Sequence, residues 1–128
     1  MVTELTYGVK ISVESIYRED LSNIENSIYF FNYRVEIENE NSFDIQLLSR
    51  FWYIFDSLNP VKEVEGSGIV GEKPVIAKGK SYTYVSGCDL SSDIGYMKGY
   101  YKFLRVDTNE IFKVSIPRFD LYSKLKLN

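Results

Sequence analysis

The stretch V-E-G-S-G-I-V-G-E-K-P, Val64 to Pro74, decides between two fold classes. Gly66, Gly68 and Gly71 stand in the spacing G-x-G-x-x-G. In dinucleotide-binding enzymes that spacing joins a strand to a helix, whose N-terminus faces a pyrophosphate. Here a strand is expected before it, over Val61 to Glu65, but no helix can follow. Pro74 comes three residues after Gly71, Gly79 comes soon after, and Ser81 to Val85 alternates apolar and polar residues as a strand does. No G-K-S/T step closes a P-loop either. The glycines therefore belong to a loop between strands, and the chain has no sign of an α/β nucleotide fold.

Such a loop has two uses. Glycines take positive φ or let the backbone pass close to a neighbour. Alternatively, the N–H groups of Gly66, Ser67, Gly68 and Gly71, with Lys73, form a backbone nest for a phosphate-containing small molecule. Lys78 and Lys80 would add charge. Without a helix dipole the nest would bind weakly, on the order of 0.1–1 mM. Mg²⁺ would enter only if carried in on the phosphate, and no other cofactor is expected.

Outward from the loop, alternation with period two dominates. Tyr7, Val9, Ile11 and Val13 form one apolar series, and Tyr29, Phe31, Tyr33, Val35 and Ile37 form a second, closed by an Asn39–Ser42 turn. Phe43 to Phe55 is apolar on both faces in its second half, which predicts a central strand, bulged near Leu47-Leu48. Tyr96 to Leu104 and Ile111 to Ile116 follow, and Pro117 ends the latter or places it at an edge. Tyr17, Leu21, Ile24 and Ile28 have helical spacing but only about three turns with Asn and Ser inside, so a short helix competes there with an irregular loop. Together these segments predict an all-β chain of about seven strands: an antiparallel β-sandwich of immunoglobulin-like form. One domain is expected over residues 1–128, with a core from about 7 to 121 and a loose tail from Tyr122.

The composition fits this reading. Hydrophobic residues are 45%, charged residues 26% and aromatics 16%, with 11 Tyr and 8 Phe, rings that suit pleated surfaces. The formal charge of −3 argues against nucleic acid as a partner. No run approaches the roughly 18 apolar residues of a membrane span. Neither a secretory signal nor a second cysteine beside Cys88 is visible, so a cytoplasmic protein is expected. Charge is uneven: residues 14–44 hold eight acids against two bases, and residues 98–128 hold seven bases against three acids. This describes two solvated sheet surfaces, or a basic segment that docks on an acidic partner.

Catalytic chemistry is poorly supplied. There is no histidine, and Cys88 lacks an activating base while its neighbour Asp89 would raise its pKa. Glu63 and Glu65 share a strand face and read first as solvent-facing. Asp89 and Asp93 could hold a hard cation with backbone carbonyls, or lie in a solvated loop. No catalytic residue and no metal ligand is assigned. Arg50 and Trp52 share a strand face, and Tyr82, Tyr84 and Tyr100 or Tyr101 belong to aromatic-rich strands. Each has a packing role as one reading and a partner contact as the other, since Tyr, Trp and Arg dominate binding hot spots.

Five motifs in order resemble the ApaG family. They are Arg50-Phe51-Trp52, Glu63 to Pro74, Tyr82 to Gly87, Gly95 to Tyr101 and Ile116 to Leu121, and the resemblance extends from about Val9 to Leu121. Lys73 stands where the family often has Gln, Lys78 where it has Pro before Gly79, and Cys88 where a small apolar residue is common. The resemblance implies a fibronectin-III-like or immunoglobulin-like sandwich. It also implies an indirect link to cobalt and magnesium homeostasis, by analogy with similar bacterial proteins. In eukaryotic proteins, among them an F-box adaptor and a DNA-polymerase-associated protein, the domain looks like a partner-binding module. The expectation is a non-enzymatic module for protein–protein interaction, with a homodimer left open. Its alternative is a weak phosphate or nucleotide sensor at the G-x-G-x-x-G loop.

Overall fold

The computed structural model describes residues 1–69 and 71–123. Nine strands follow in order: β1 (Val2–Thr6), β2 (Val9–Tyr17), β3 (Tyr29–Asn39), β4 (Ile45–Asp56), β5 (Lys62–Ser67), β6 (Val75–Ile76), β7 (Ser81–Leu90), β8 (Ile94–Arg105) and β9 (Glu110–Tyr122). They form two antiparallel sheets packed as a sandwich. One has the order β1-β2-β3-β7; the other has the order β5-β4-β8-β9, with β6 also paired to β4. All seven expected strands are present. The two additions left no pattern to read: β1 is mostly exposed and β6 has two residues.

Alternation does what period two requires. Phe31, Tyr33, Val35 and Ile37 of β3 face inward and are buried, as are Val9, Ile11 and Val13 of β2. Trp52, Met97, Tyr101, Phe103, Val114 and Ile116 face them from the second sheet. The sequence alternation beginning at Tyr7 starts one turn too early. Tyr7 (φ 49°) and Gly8 (φ 74°) make the two-residue β1–β2 turn, and Tyr7 is exposed.

Three irregularities follow from the sequence. The β4–β8 register shifts between Leu47 and Ser49, as expected for the Leu47-Leu48 bulge. Pro117 does not end β9, which runs on to Tyr122. It sits instead where the β8–β9 register shifts, on a strand at the edge of its sheet, so no ladder bond is lost. Between β2 and β3 there is no α-helix, only two 3₁₀ turns, Glu19–Leu21 and Ile24–Asn26. Leu21, Ile24 and Ile28 are exposed, so their helical spacing had no core to bury into. The loose tail expected from Tyr122 begins later: Tyr122 ends β9 opposite Ile94, and the buried Ser123 donates its N–H to the Asp93 carbonyl at 3.0 Å; from residue 124 the tail lies outside the described residues. Among the described residues no helix is long and apolar enough to cross a membrane.

Candidate functional site

The glycine loop is a detour around the β4 bulge. Up to Ser67 the chain pairs with β4, and Gly68 N–H then donates to the Leu48 carbonyl at 2.9 Å. Ile69 and Glu72 exchange two backbone hydrogen bonds, of 2.7 and 2.9 Å, which closes a tiny hairpin. The chain returns to β4 where Leu47 N–H donates to the Pro74 carbonyl. Gly68 has φ +62°, and a Cβ there would lie 2.1 Å from the Glu72 carbonyl oxygen. Its spacing is therefore a backbone requirement. The N–H groups of Gly68, Ile69 and Glu72 are all engaged inside the fold. Of the residues expected to form the phosphate nest, Gly66, Ser67, Gly68, Gly71 and Lys73, Gly66 and Ser67 lie in β5 opposite Arg50 and Ser49, and the Gly68 amide is engaged with Leu48.

The loop instead turns carbonyls toward Arg50. Arg50 Nη1 donates to Gly68 O at 2.7 Å and to Ser67 O at 3.1 Å. Gly66 lies under the guanidinium: a Cβ there would fall 2.8 Å from Nη2. Trp52, on the same inner face of β4, is 3% exposed and packs edge-on against Tyr33, Tyr101 and Phe119. It is a core residue and has no surface to offer a partner. Tyr82 and Tyr84 also lie on the inner side of their strand, half-buried, where Tyr84 and the fully buried Tyr101 join their hydroxyls across the two sheets. Of the five residues proposed for partner contact, only Tyr100 sits on an outer sheet face, and Arg50 lines a cleft at the rim between the sheets.

The outer face of the five-stranded sheet carries the aromatic surface. Phe51 and Tyr100 are directly opposed across β4 and β8 and stack at 5.1 Å, and Phe55 and Tyr96 stack at 5.0 Å. Tyr53 completes the row beside Tyr96. Three cations lie over these rings: Arg118 over Tyr96 at 3.8 Å, Lys113 over Tyr100 at 4.5 Å and Lys98 over Tyr53 at 5.0 Å. The sequence signal for this surface was the both-face apolarity of β4, which read as a doubly covered strand. Among the described residues, its second face is covered by the stacked rings and the three cations over them.

The titratable groups of the interior are set for structure. Burial, and then Asp89, pushes the Cys88 thiol up to about 11. Burial likewise raises Tyr33 and Tyr84. Asp56 is buried yet ionised. Burial alone would raise its pKa, but hydrogen bonds from Ser92 Oγ (2.6 Å), Ser91 N (2.6 Å), Asn59 Nδ2 (3.1 Å) and Leu58 N (3.2 Å) outweigh that and hold it below the usual carboxylate range. Sequence reasoning passed over Asp56, whose partners come from two turns far apart in the chain.

Residues 19–105 match the family model of the ApaG domain. The chain belongs to the ApaG domain family. Protein ApaG of Brucella canis is 43% identical over 121 residues, which cover 94% of this chain and 92% of that protein. Protein ApaG of Brucella anthropi is 40% identical over the same shares. The crystal structure of a Bordetella pertussis protein described as ApaA superposes with a TM-score of 0.87 at 36% identity, covering 94% of this chain and 97% of that one. In this ApaG domain, the glycine motif is the segment that bridges the β4 bulge. The Arg50-Phe51-Trp52 motif places a rim cation, an outer ring and a core ring on three consecutive residues.

Proposed function

We propose that this ApaG domain is a non-enzymatic binding module that docks an acidic protein partner on the outer face of its five-stranded sheet. The observation that carries this reading is the row of stacked rings, Phe51, Tyr53, Phe55, Tyr96 and Tyr100, topped by Lys98, Lys113 and Arg118. Rigid aromatic area beside cations is the composition of interface hot spots, and it suits a carboxylate-rich surface. Lys102 adds a further cation opposite Lys113, while Asp120 pairs with Arg118 at 3.4 Å and the exposed Glu63 and Glu65 stand opposite Tyr53 and Phe51, so the cationic part of the face runs along β8 and β9. The raised thiol of Cys88 supports a non-catalytic reading, because a neutral thiol is a poor nucleophile. A link to cobalt or magnesium homeostasis, as the family resemblance implies, would run through the partner.

The test is affinity for the partner, captured with the wild-type domain and then titrated as a pure protein. Tyr100→Ala and the pair Lys98→Glu with Lys113→Glu should each weaken binding by about tenfold or more while leaving the far-ultraviolet spectrum unchanged. Unaltered affinity in both variants overturns the assignment of this face.

A further inference from the structure

The structure assigns a second docking site, independent of the aromatic face: the free edge of β7, which takes an extended acidic segment of a protein partner as an added strand. β7 pairs with β3 in unbroken register from Ser81 opposite Glu38 to Leu90 opposite Tyr29. No described strand pairs with its other side. Such an edge presents a row of unpaired N–H and C=O groups, and proteins usually guard it. The other three edges are guarded. β1 has five residues, β5 carries Lys62, Glu63 and Glu65 along six, and β9 is bulged at Pro117. β7 runs ten residues, S-Y-T-Y-V-S-G-C-D-L, without Pro, Lys, Arg or a bulge.

The two long sides of the sandwich also differ. On one, Ser15 of β2 donates to the Asp120 carbonyl of β9 at 2.9 Å and ties the sheets together. On the other, β7 and β5 leave a cleft of about 250 Å³ lined by Arg50, Lys62, Ser86, Cys88 and Asp89 among others. The inward side chains of a strand added to β7 would enter this cleft.

The cleft selects the partner's chemistry. Arg50 is fixed by its two carbonyl bonds, both made by Nη1. Among the described residues, Nε and Nη2 have no hydrogen-bond partner, and neither Arg50 nor Lys62 has an ion pair. The Nε–Nη2 side of a held guanidinium matches a carboxylate in a two-bond fork. Asp89, on the same cleft, repels a uniformly acidic segment. The incoming strand should therefore place an acidic side chain opposite Arg50 and Lys62 and a neutral one beside Asp89.

Amide NMR tests this with three capped peptides on the full chain. The first is Thr-Glu-Val-Glu-Thr, the second replaces Glu by Lys, and the third keeps Glu but carries N-methyl groups at alternate residues, which abolish strand pairing. The first should shift the amides of Thr83, Val85, Gly87 and Asp89, with the other two about fivefold weaker or worse, and Lys62→Glu should weaken it about threefold or more. These shifts are read on β7, so they succeed or fail separately from the outer aromatic face. No shift on β7 at about 5 mM, a range that catches even millimolar binders, overturns the site. Equal binding of the N-methylated peptide also overturns strand addition. β7 shifts that follow protein concentration alone overturn it too, and give the edge to a second copy of the chain.

Discussion

The Arg50 guanidinium donates to the Gly68 carbonyl at 2.7 Å, so one side of it clasps the glycine loop while the residue also lines the cleft. The clasp explains why the motif has glycine at both 66 and 68, one under the guanidinium and one where two backbones nearly touch.

The two glycines at positive φ in this loop should therefore respond differently to alanine. At Gly71 (φ +78°) nothing lies within 4 Å of an added Cβ. Gly71→Ala should cost only the left-handed backbone strain, about 1–2 kcal/mol. At Gly68 the Cβ meets the Glu72 carbonyl oxygen, and Gly68→Ala should cost about 3 kcal/mol or more, as steric overlap adds to strain. Denaturant unfolding of both variants gives the ordering, and equal losses would contradict the detour geometry.

Tyr84 and Tyr101 join hydroxyls inside the sandwich. Tyr101→Phe alone strands the half-buried Tyr84 hydroxyl and should cost about 1–2 kcal/mol. The double variant with Tyr84→Phe should recover part of that loss, giving a coupling of about 0.5 kcal/mol or more in a mutant cycle. Strict additivity would mean that the bond does not contribute.

Asp56 links the β4–β5 turn to the β7–β8 turn through Ser91 and Ser92. Because its folded pKa is lowered, its contribution is present above the unfolded value of about 3.9 and is lost as pH falls through the folded value. Asp20 and Asp107 are also held low by Arg18 and Arg105, but these pairs are exposed and screened. Asp56→Asn should therefore flatten the stability curve below about pH 4, and Asp56→Ala should cost about 2–3 kcal/mol at neutral pH by leaving buried donors unpaired. Urea midpoints between pH 2.5 and 7 measure both; an unchanged acid limb in the Asn variant would sink the assignment.

Cys88 should alkylate slowly. With its thiol near 11, against 9.0 for an unperturbed one, the thiolate fraction at pH 8 is smaller by roughly a hundredfold. Its iodoacetamide rate should keep rising about tenfold per pH unit past pH 9, where a free thiol levels off, since rate follows thiolate fraction. A plateau near pH 9 would show that the site does not raise the thiol.

Much of this was legible in the sequence because strands declare themselves locally. β3 displays its buried face in Phe31, Tyr33, Val35 and Ile37, and the β4 bulge showed in consecutive Leu47 and Leu48. Proline and glycine spacing alone removed the helix that a nucleotide fold requires. The face that Tyr82, Tyr84 and Tyr100 occupy was not legible. Alternation tells which residues share a face and leaves open which face meets the other sheet. A chain with aromatics on both sides of β4 and β8 gives no local sign of which row is core and which is surface. Asp56 was hidden for another reason: its four donors lie at 58, 59, 91 and 92, and only the fold brings them together.

Pro117 carries a consequence for crowded solutions. Fibre growth by sheet extension needs two complementary edges on each molecule, one to join and one to be joined. The bulge at Pro117 closes the β9 edge to that role, and the short or charged β1 and β5 edges are poor substitutes. With a single inviting edge among the described strands, the molecule can use it once and then has nothing left to extend. Concentrated preparations should therefore not grow into filaments.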